Sequence, residues 1–215
     1  DVTWALREAV RNVGFERNTT EWMTAFRAEL TLNSGLLCGN AFNGYWFLHQ
    51  SLQEFLAAGA LARRVNESKR GWEERVRWGA VRLTVRQFVN YKSWAPRWNE
   101  VIALLAGQLD DPTPLVRMLS DPHRSVPNWH DDVFRHRLAL AARCLAEIRP
   151  EQRAHCEILV DSVTEEVFSL WREHSQSGTR DLVAHLERAL TGLVASNGKV
   201  DGRPLLAWLS GALRG

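Results

Sequence analysis

The segment Tyr45-Trp46-Phe47-Leu48-His49-Gln50-Ser51-Leu52-Gln53-Glu54-Phe55-Leu56-Ala57-Ala58 changes its periodicity in mid-course. Its first four residues are aromatic or apolar, the composition of a short strand. From Leu52 onward, Leu52, Phe55, Leu56, Gly59 and Ala60 recur at the spacing of one helical face. Ser51 and Glu54 stand in the S-x-x-E arrangement of a capping box, in which hydroxyl and carboxylate satisfy two free amides reciprocally. The pattern therefore predicts a strand that ends in a histidine and turns at once into a helix. Upstream, Leu36-Leu37-Cys38 is a second apolar run, and Asn43-Gly44 is a favoured turn dipeptide because both residues tolerate positive φ. The two runs predict a β-hairpin.

Helical patterns surround this hairpin. Val2, Leu6, Ala9, Val10 and Val13 share one face before Gly14. Thr19 or Thr20 can cap a second helix carrying Trp22, Phe26 and Leu30, which Asn33-Ser34-Gly35 stops. Helix, helix, hairpin and helix make residues 1–66 a winged-helix-like α+β domain. The polar stretch Asn66-Glu67-Ser68-Lys69-Arg70-Gly71 separates it from the rest. Residues 72–215 read as all-helical. Trp72, Val76, Ala80 and Leu83 form one stripe, and Trp98, Val101, Ile102 and Leu105 another that ends near Gly107. Asp111-Pro112 begins a short helix with Leu115, Val116 and Leu119. Phe134, Leu138, Ala141, Ala142, Leu145 and Ile148 share a face that Pro150 stops. Val160, Val163, Val167 and Trp171 mark the next helix. Leu182, Val183, Leu186, Leu190 and Leu193 mark another, closed by Asn197-Gly198. Pro204 suits the first turn of a last helix bearing Leu205, Trp208, Leu209 and Leu213. The segment from His136 to Ile148 resembles the "R-x-x-A-A-x-x-L-x-x-I" flavour of HEAT repeats. The expectation is a mainly α fold: a winged-helix-like domain with a small β-hairpin (1–66), a helical linker region (67–110) and an incomplete HEAT-like α-helical array (111–215).

Composition narrows the functional classes. A chain of 215 residues with 45% hydrophobic residues can build one good core or two small ones. A net charge of +2 exerts no global pull toward nucleic acid or membrane. Apolar runs fall far short of the roughly 20 residues a membrane span needs, and no basic segment followed by an apolar one opens the chain. Cys38, Cys144 and Cys156 are odd in number and widely spaced, which argues against a disulfide framework or zinc knuckle and for a reducing, cytoplasmic setting. The ten tryptophans are expected mostly as core anchors. Asp1 in place of Met, and the abrupt end at Leu213-Arg214-Gly215, suggest a piece of something longer. The chain contains no G-x-x-x-x-G-K-[ST], G-x-S-x-G, H-E-x-x-H or C-x-x-C motif, so it is not expected to be an enzyme by itself.

The Tyr45–Ala58 segment resembles the pattern "F-x-H-x-x-[FL]-Q-E-[FY]-L-A-A" of the winged-helix domain that follows the ATPase module in NACHT-type signalling NTPases of the STAND class. Leu32-Asn33-Ser34-Gly35-Leu36-Leu37 looks like the helix end and first wing strand that precede it. The segment Trp98 to Gly107 looks like a "W-x-E-V-[IL]-x-L-x-A-G" helix between winged helix and repeats in bacterial members. The resemblance covers roughly residues 20–150. It implies that His49 reaches an ATPase module upstream in the same polypeptide, touches the phosphates of bound ADP and holds the protein closed. ADP or ATP would then be the cofactor of the full-length protein, not of this part alone. The helical repeats would sense a ligand or protein trigger, with self-association on activation and an anti-phage defence or transcriptional output. From the residues themselves, His49 precedes a helix N-terminus, where free amides and the helix dipole favour phosphate. The same position also fits a histidine that only ties hairpin to helix. Gln53 and Glu54 read as helix-start residues.

Two further features suggest chemistry. His123, His130, Asp131, Asp132 and His136 are metal-ligand types. Yet His130 and His136 are six residues apart and do not share a helical face, and Asp131 or Asp132 suits the first turn of a helix, so no metal site is expected. Between residues 63 and 92, nine basic residues (Arg63, Arg64, Lys69, Arg70, Arg75, Arg77, Arg82, Arg86 and Lys92) meet three acids (Glu67, Glu73 and Glu74), an excess of +6. This keeps open an alternative, a DNA-binding winged-helix regulator with a helical dimerisation domain. The apolar wing and a Thr20–Leu32 helix with Arg27 as its one cation argue against it.

Overall fold

The computed structural model describes residues 28, 29, 31, 36–40, 44–121 and 132–212. The helices expected before residue 28, the Asn33-Ser34-Gly35 stop and the Asn43 turn position lie outside the described residues. The chain divides into two compact units, residues 1–54 and 55–215.

In the first unit, β1 (Leu37–Asn40) pairs antiparallel with β2 (Gly44–Phe47), with Leu37 opposite Phe47 and Cys38 opposite Trp46. The expected hairpin is present, and Gly44 is the first residue of its returning strand. The Leu48 amide donates to the Leu36 carbonyl at 3.0 Å and adds one more rung. Helix α1 (Gln50–Glu67) follows at once. It starts two residues earlier than the S-x-x-E pattern predicts, so Ser51 lies within its first turn rather than ahead of it. The His49 carbonyl already accepts from the amides of Leu52 (3.2 Å) and Gln53 (3.4 Å). Glu54 takes a 2.6 Å hydrogen bond from Gln50 Nε2, one turn back.

In the second unit, α1 buries Ala58, Leu61 and Ala62. The stripe Trp72, Val76, Ala80 and Leu83 does not form a helix. It forms a second hairpin, β3 (Arg75–Trp78) against β4 (Val81–Thr84), with Val76 opposite Leu83 and Arg77 opposite Arg82. The reason lies in the alternation Arg-Val-Arg-Trp and Val-Arg-Leu-Thr, which has period two. Gly79, at φ +60, opens the two-residue turn, and a glycine at the first central position is what a type II′ hairpin requires. Thr84 then ends the strand and caps α2 (Val85–Lys92). Its Oγ1 accepts from the Gln87 amide at 3.1 Å, while Gln87 Oε1 accepts from the Thr84 amide at 3.0 Å.

A 3₁₀ turn at Pro96–Trp98 leads into α3 (Asn99–Gln108), and Asp111 Oδ1 accepts from the Thr113 amide to start α4 (Thr113–Ser120). Helix α5 (His136–Glu147) presents Leu138, Ala141, Ala142 and Leu145 to the core. Pro150 ends that segment and, lacking an amide proton, suits the first turn of the long α6 (Pro150–Gln176). Helix α7 (Ala184–Ala195) is closed as expected, with Asn197 at φ 58 and the Gly198 amide donating to the Leu193 carbonyl at 3.0 Å. A third small hairpin, β5 (Lys199–Val200) with β6 (Arg203–Pro204), precedes α8 (Leu205–Ala212). Pro204 is thus the last strand residue before α8 and not part of its first turn.

The architecture is mainly α, with three two-stranded hairpins among the described residues. Helix α5 is the hub: α3, α4, α6 and α7 all pack against it. Arg137 of α5 is 2% exposed. Its Nη2 donates to Asn90 Oδ1 (2.7 Å) and to the Met118 carbonyl (2.8 Å), tying α2 and α4 to α5. All three cysteines are free. Among the described residues no helix is long and apolar enough to cross a membrane.

Candidate functional site

His49 is exposed, two residues beyond the end of β2 and one before the start of α1. The hairpin pairing ends at Leu48, so His49 is where an extended chain bends into a helix. Gln50, Ser51 and Gln53 beside it are exposed as well. Imidazole, amide and hydroxyl groups at the positive end of an 18-residue helix form a donor set that suits a phosphate. Leu48, next in the chain, is 54% exposed.

The second cluster resolves differently. Asp132 caps α5: one carboxylate oxygen accepts from the His136 amide at 2.7 Å and the other from the Arg137 amide at 3.0 Å. Asp132 thus lies ahead of α5 and not in its first turn as expected, although its carboxylate still satisfies two of the helix's free amides. The His136 ring stacks on His185 of α7, with centroids 4.1 Å apart. His185 Nε2 lies 2.6 Å from the Phe134 carbonyl; a carbonyl only accepts, so Nε2 carries the proton. Burial pulls His185 below the ordinary histidine range and His136 adds to that pull, while the Phe134 and Asp132 contacts oppose it. His123, His130 and Asp131 lie outside the described residues. Among the described residues no three His, Cys, Asp or Glu side chains are grouped as metal ligands.

The basic run does not act as one surface. Arg86 pairs with Glu73 at 2.9 Å and Arg63 with Glu67 at 3.9 Å. Lys92 is 4% exposed. Its ammonium lies 3.9 Å from the Trp78 ring centroid, 4.9 Å from that of Trp98, and 5.6 Å from those of Phe88 and Tyr91. Burial, with Arg97 as a like charge, pulls it below the ordinary lysine range. The ring faces favour the charged form and work against that pull. Arg75, Arg77 and Arg82 remain exposed on the β3–β4 hairpin. By the pairing register, all three fall on one face of it.

A cleft of about 570 Å³ opens at the C-terminal end of α6. Phe168, Trp171, Arg172, Ser175 and Gln176 line it from α6, at three- and four-residue spacing on one face. Arg203 of β6 and Trp208 of α8 line the other side. The Phe168 ring lies 5.8 Å from that of Trp171 and 5.9 Å from that of Trp208, and the Arg172 guanidinium lies 5.7 Å from the Phe168 ring. Trp208 Nε1 donates to the Val200 carbonyl at 3.0 Å. Trp171 Nε1 and Ser175 Oγ are buried and make no hydrogen bond. The sequence places Trp171 and Trp208 on apolar stripes, as core; the signal for a cleft was the polar pair Arg172 and Ser175 interleaved with Phe168 and Trp171 on one helical face.

Comparison with protein-family profiles, with curated proteins and with solved structures finds no match.

Proposed function

We propose that the chain is the regulatory and sensing part of a cytoplasmic NACHT-type signalling NTPase. Residues 1–66 act as a winged-helix-like domain that docks on an ATPase module upstream in the same polypeptide. Residues 111–215 act as a HEAT-like array that senses a ligand or partner. The observation that supports this reading is the exposed His49 at the junction of hairpin and helix, inside the motif that carries the family resemblance. Leu48, exposed beside it, offers an apolar contact to a docking partner. Bound ADP supplies the charge that the arrangement reads; His49 donates to a phosphate oxygen, and α1 contributes the positive end of its dipole.

A hydrogen bond to a charged group is worth about 1.5–3 kcal/mol. In the full-length protein, His49→Ala should therefore release ADP roughly tenfold to a hundredfold faster and raise resting activity. Release of a fluorescent ADP analogue at an unchanged rate would refute the role. A second reading, nucleic-acid binding, is favoured by Arg75, Arg77 and Arg82 on one hairpin face, since β-ribbons can dock on duplexes. It predicts duplex affinity that falls steeply as salt rises.

A further inference from the structure

We infer that the cleft between α6, β6 and α8 is a binding site for a small planar aromatic molecule bearing an anionic group. Three observations carry this independently of His49. The floor consists of the ring systems of Phe168, Trp171 and Trp208, which offer stacking and edge contacts to a flat ring. The charged groups around that floor are both positive. Arg172 and Arg203 are cations, and among the described residues neither forms an ion pair. Among the described residues no acid lines the cleft.

Two guanidinium groups bordering a floor of rings ask for a ligand that is both flat and negatively charged. A volume of about 570 Å³ falls in the range of sites for ligands of mononucleotide or smaller drug-like size. A nucleotide and an aromatic carboxylate share this chemistry.

The test is isothermal titration of the chain with adenosine monophosphate and, separately, with 1-naphthoate. Adenosine, naphthalene methanol and inorganic phosphate serve as ring-only and anion-only controls. At least one of the two aromatic anions should bind with a dissociation constant below about 1 mM, at least tenfold more tightly than its controls. Which one binds assigns the source of the ligand. Arg203→Ala, on an exposed β6 residue, should weaken that binding about tenfold with an unchanged circular dichroism spectrum. His49→Ala should leave it unchanged, which separates this site from the one proposed above. No binding of either anion, or binding indifferent to Arg203→Ala and Arg172→Ala alike, would overturn the assignment. So would a doubling of mass on concentration that buries the cleft against a second copy.

Discussion

Replacing Gly107 by alanine tests how closely the hub helix is approached. Gly107 lies in the last turn of α3, where a Cβ would stand 2.6 Å from the carbonyl oxygen of Glu147 and 3.5 Å from its carbonyl carbon. Ordinary contact begins near 3.4 Å, so the methyl group falls about 0.8 Å short. The obstacle is backbone at the end of α5, which cannot rotate out of the way. Alanine gains at most about 1 kcal/mol of helix propensity over glycine. Overpacking a core costs about 1–3 kcal/mol. The net expectation is a loss of about 1–2 kcal/mol, or roughly 3–6 °C in Tm for a chain of this size. Gly59→Ala provides the control. There the added Cβ would meet Gln108 Oε1 at 2.9 Å, the far end of a flexible side chain that gives up only a 3.4 Å hydrogen bond to the Phe55 carbonyl. With the same propensity gain and a neighbour that can swing away, Gly59→Ala should be neutral or stabilising by up to about 1 kcal/mol. The assay is urea unfolding of both variants, followed by far-ultraviolet circular dichroism. A Gly107→Ala variant as stable as Gly59→Ala would refute the close approach of α3 to α5.

Other expectations follow from buried groups. Lys92 holds its proton less tightly in the folded chain than in the unfolded one, so stability should rise with pH through the window that ends near its ordinary value of 10.5; denaturant midpoints of Lys92→Met should lack that rise and should not fall below the parent at neutral pH. Arg137→Met should cost about 2 kcal/mol or more in unfolding free energy, because it leaves two buried acceptors, Asn90 Oδ1 and the Met118 carbonyl, without the Nη2 donor they share. Cys144 and Cys156 are buried, and burial pushes both thiols up, so a thiol reagent should label only Cys38 quickly in the native state and all three in urea. Two fast cysteines in the native chain would contradict this packing.

The sequence was most legible where one signal decided the structure. Leu36–Cys38 and Tyr45–Leu48, apolar runs around a turn dipeptide, yielded the first hairpin. Leu138, Ala141, Ala142 and Leu145, at helical spacing, yielded the buried face of α5. It misled where two periods competed. Trp72, Val76, Ala80 and Leu83 fit a 3.6-residue repeat, but Arg75 to Trp78 and Val81 to Thr84 also alternate strictly, and Gly79 at φ +60 decided for the turn. The capping box was real chemistry assigned to the wrong helix start. Ser51-x-x-Glu54 matches the pattern, yet the Thr84 and Gln87 pair makes the reciprocal bonds. Lys92 was legible as one basic residue in a run, while the rings that surround it come from β3, α2 and the turn before α3. No local window contains that enclosure.

The cleft and the core share one helix, and this decides what occupancy could do. Along α6, Cys156, Val160, Val163, Thr164 and Val167 are buried. They belong to a stretch that packs on α4, α5 and α7. Phe168, Trp171, Arg172 and Ser175 continue the same helix into the cleft. Thr164 also closes against Gly198, where an added Cβ would collide with it, so the loop before β5 is held to α6 within a few residues of Arg203. A ligand in the cleft would therefore bear on α6 directly and on β6 and α8 through Arg203 and Trp208. It could bias an equilibrium only through a difference in affinity between two arrangements of these elements. The elements best suited to supply that difference are β6 and α8. They follow a loop anchored at Gly198, whereas α6 is locked into the core along most of its length.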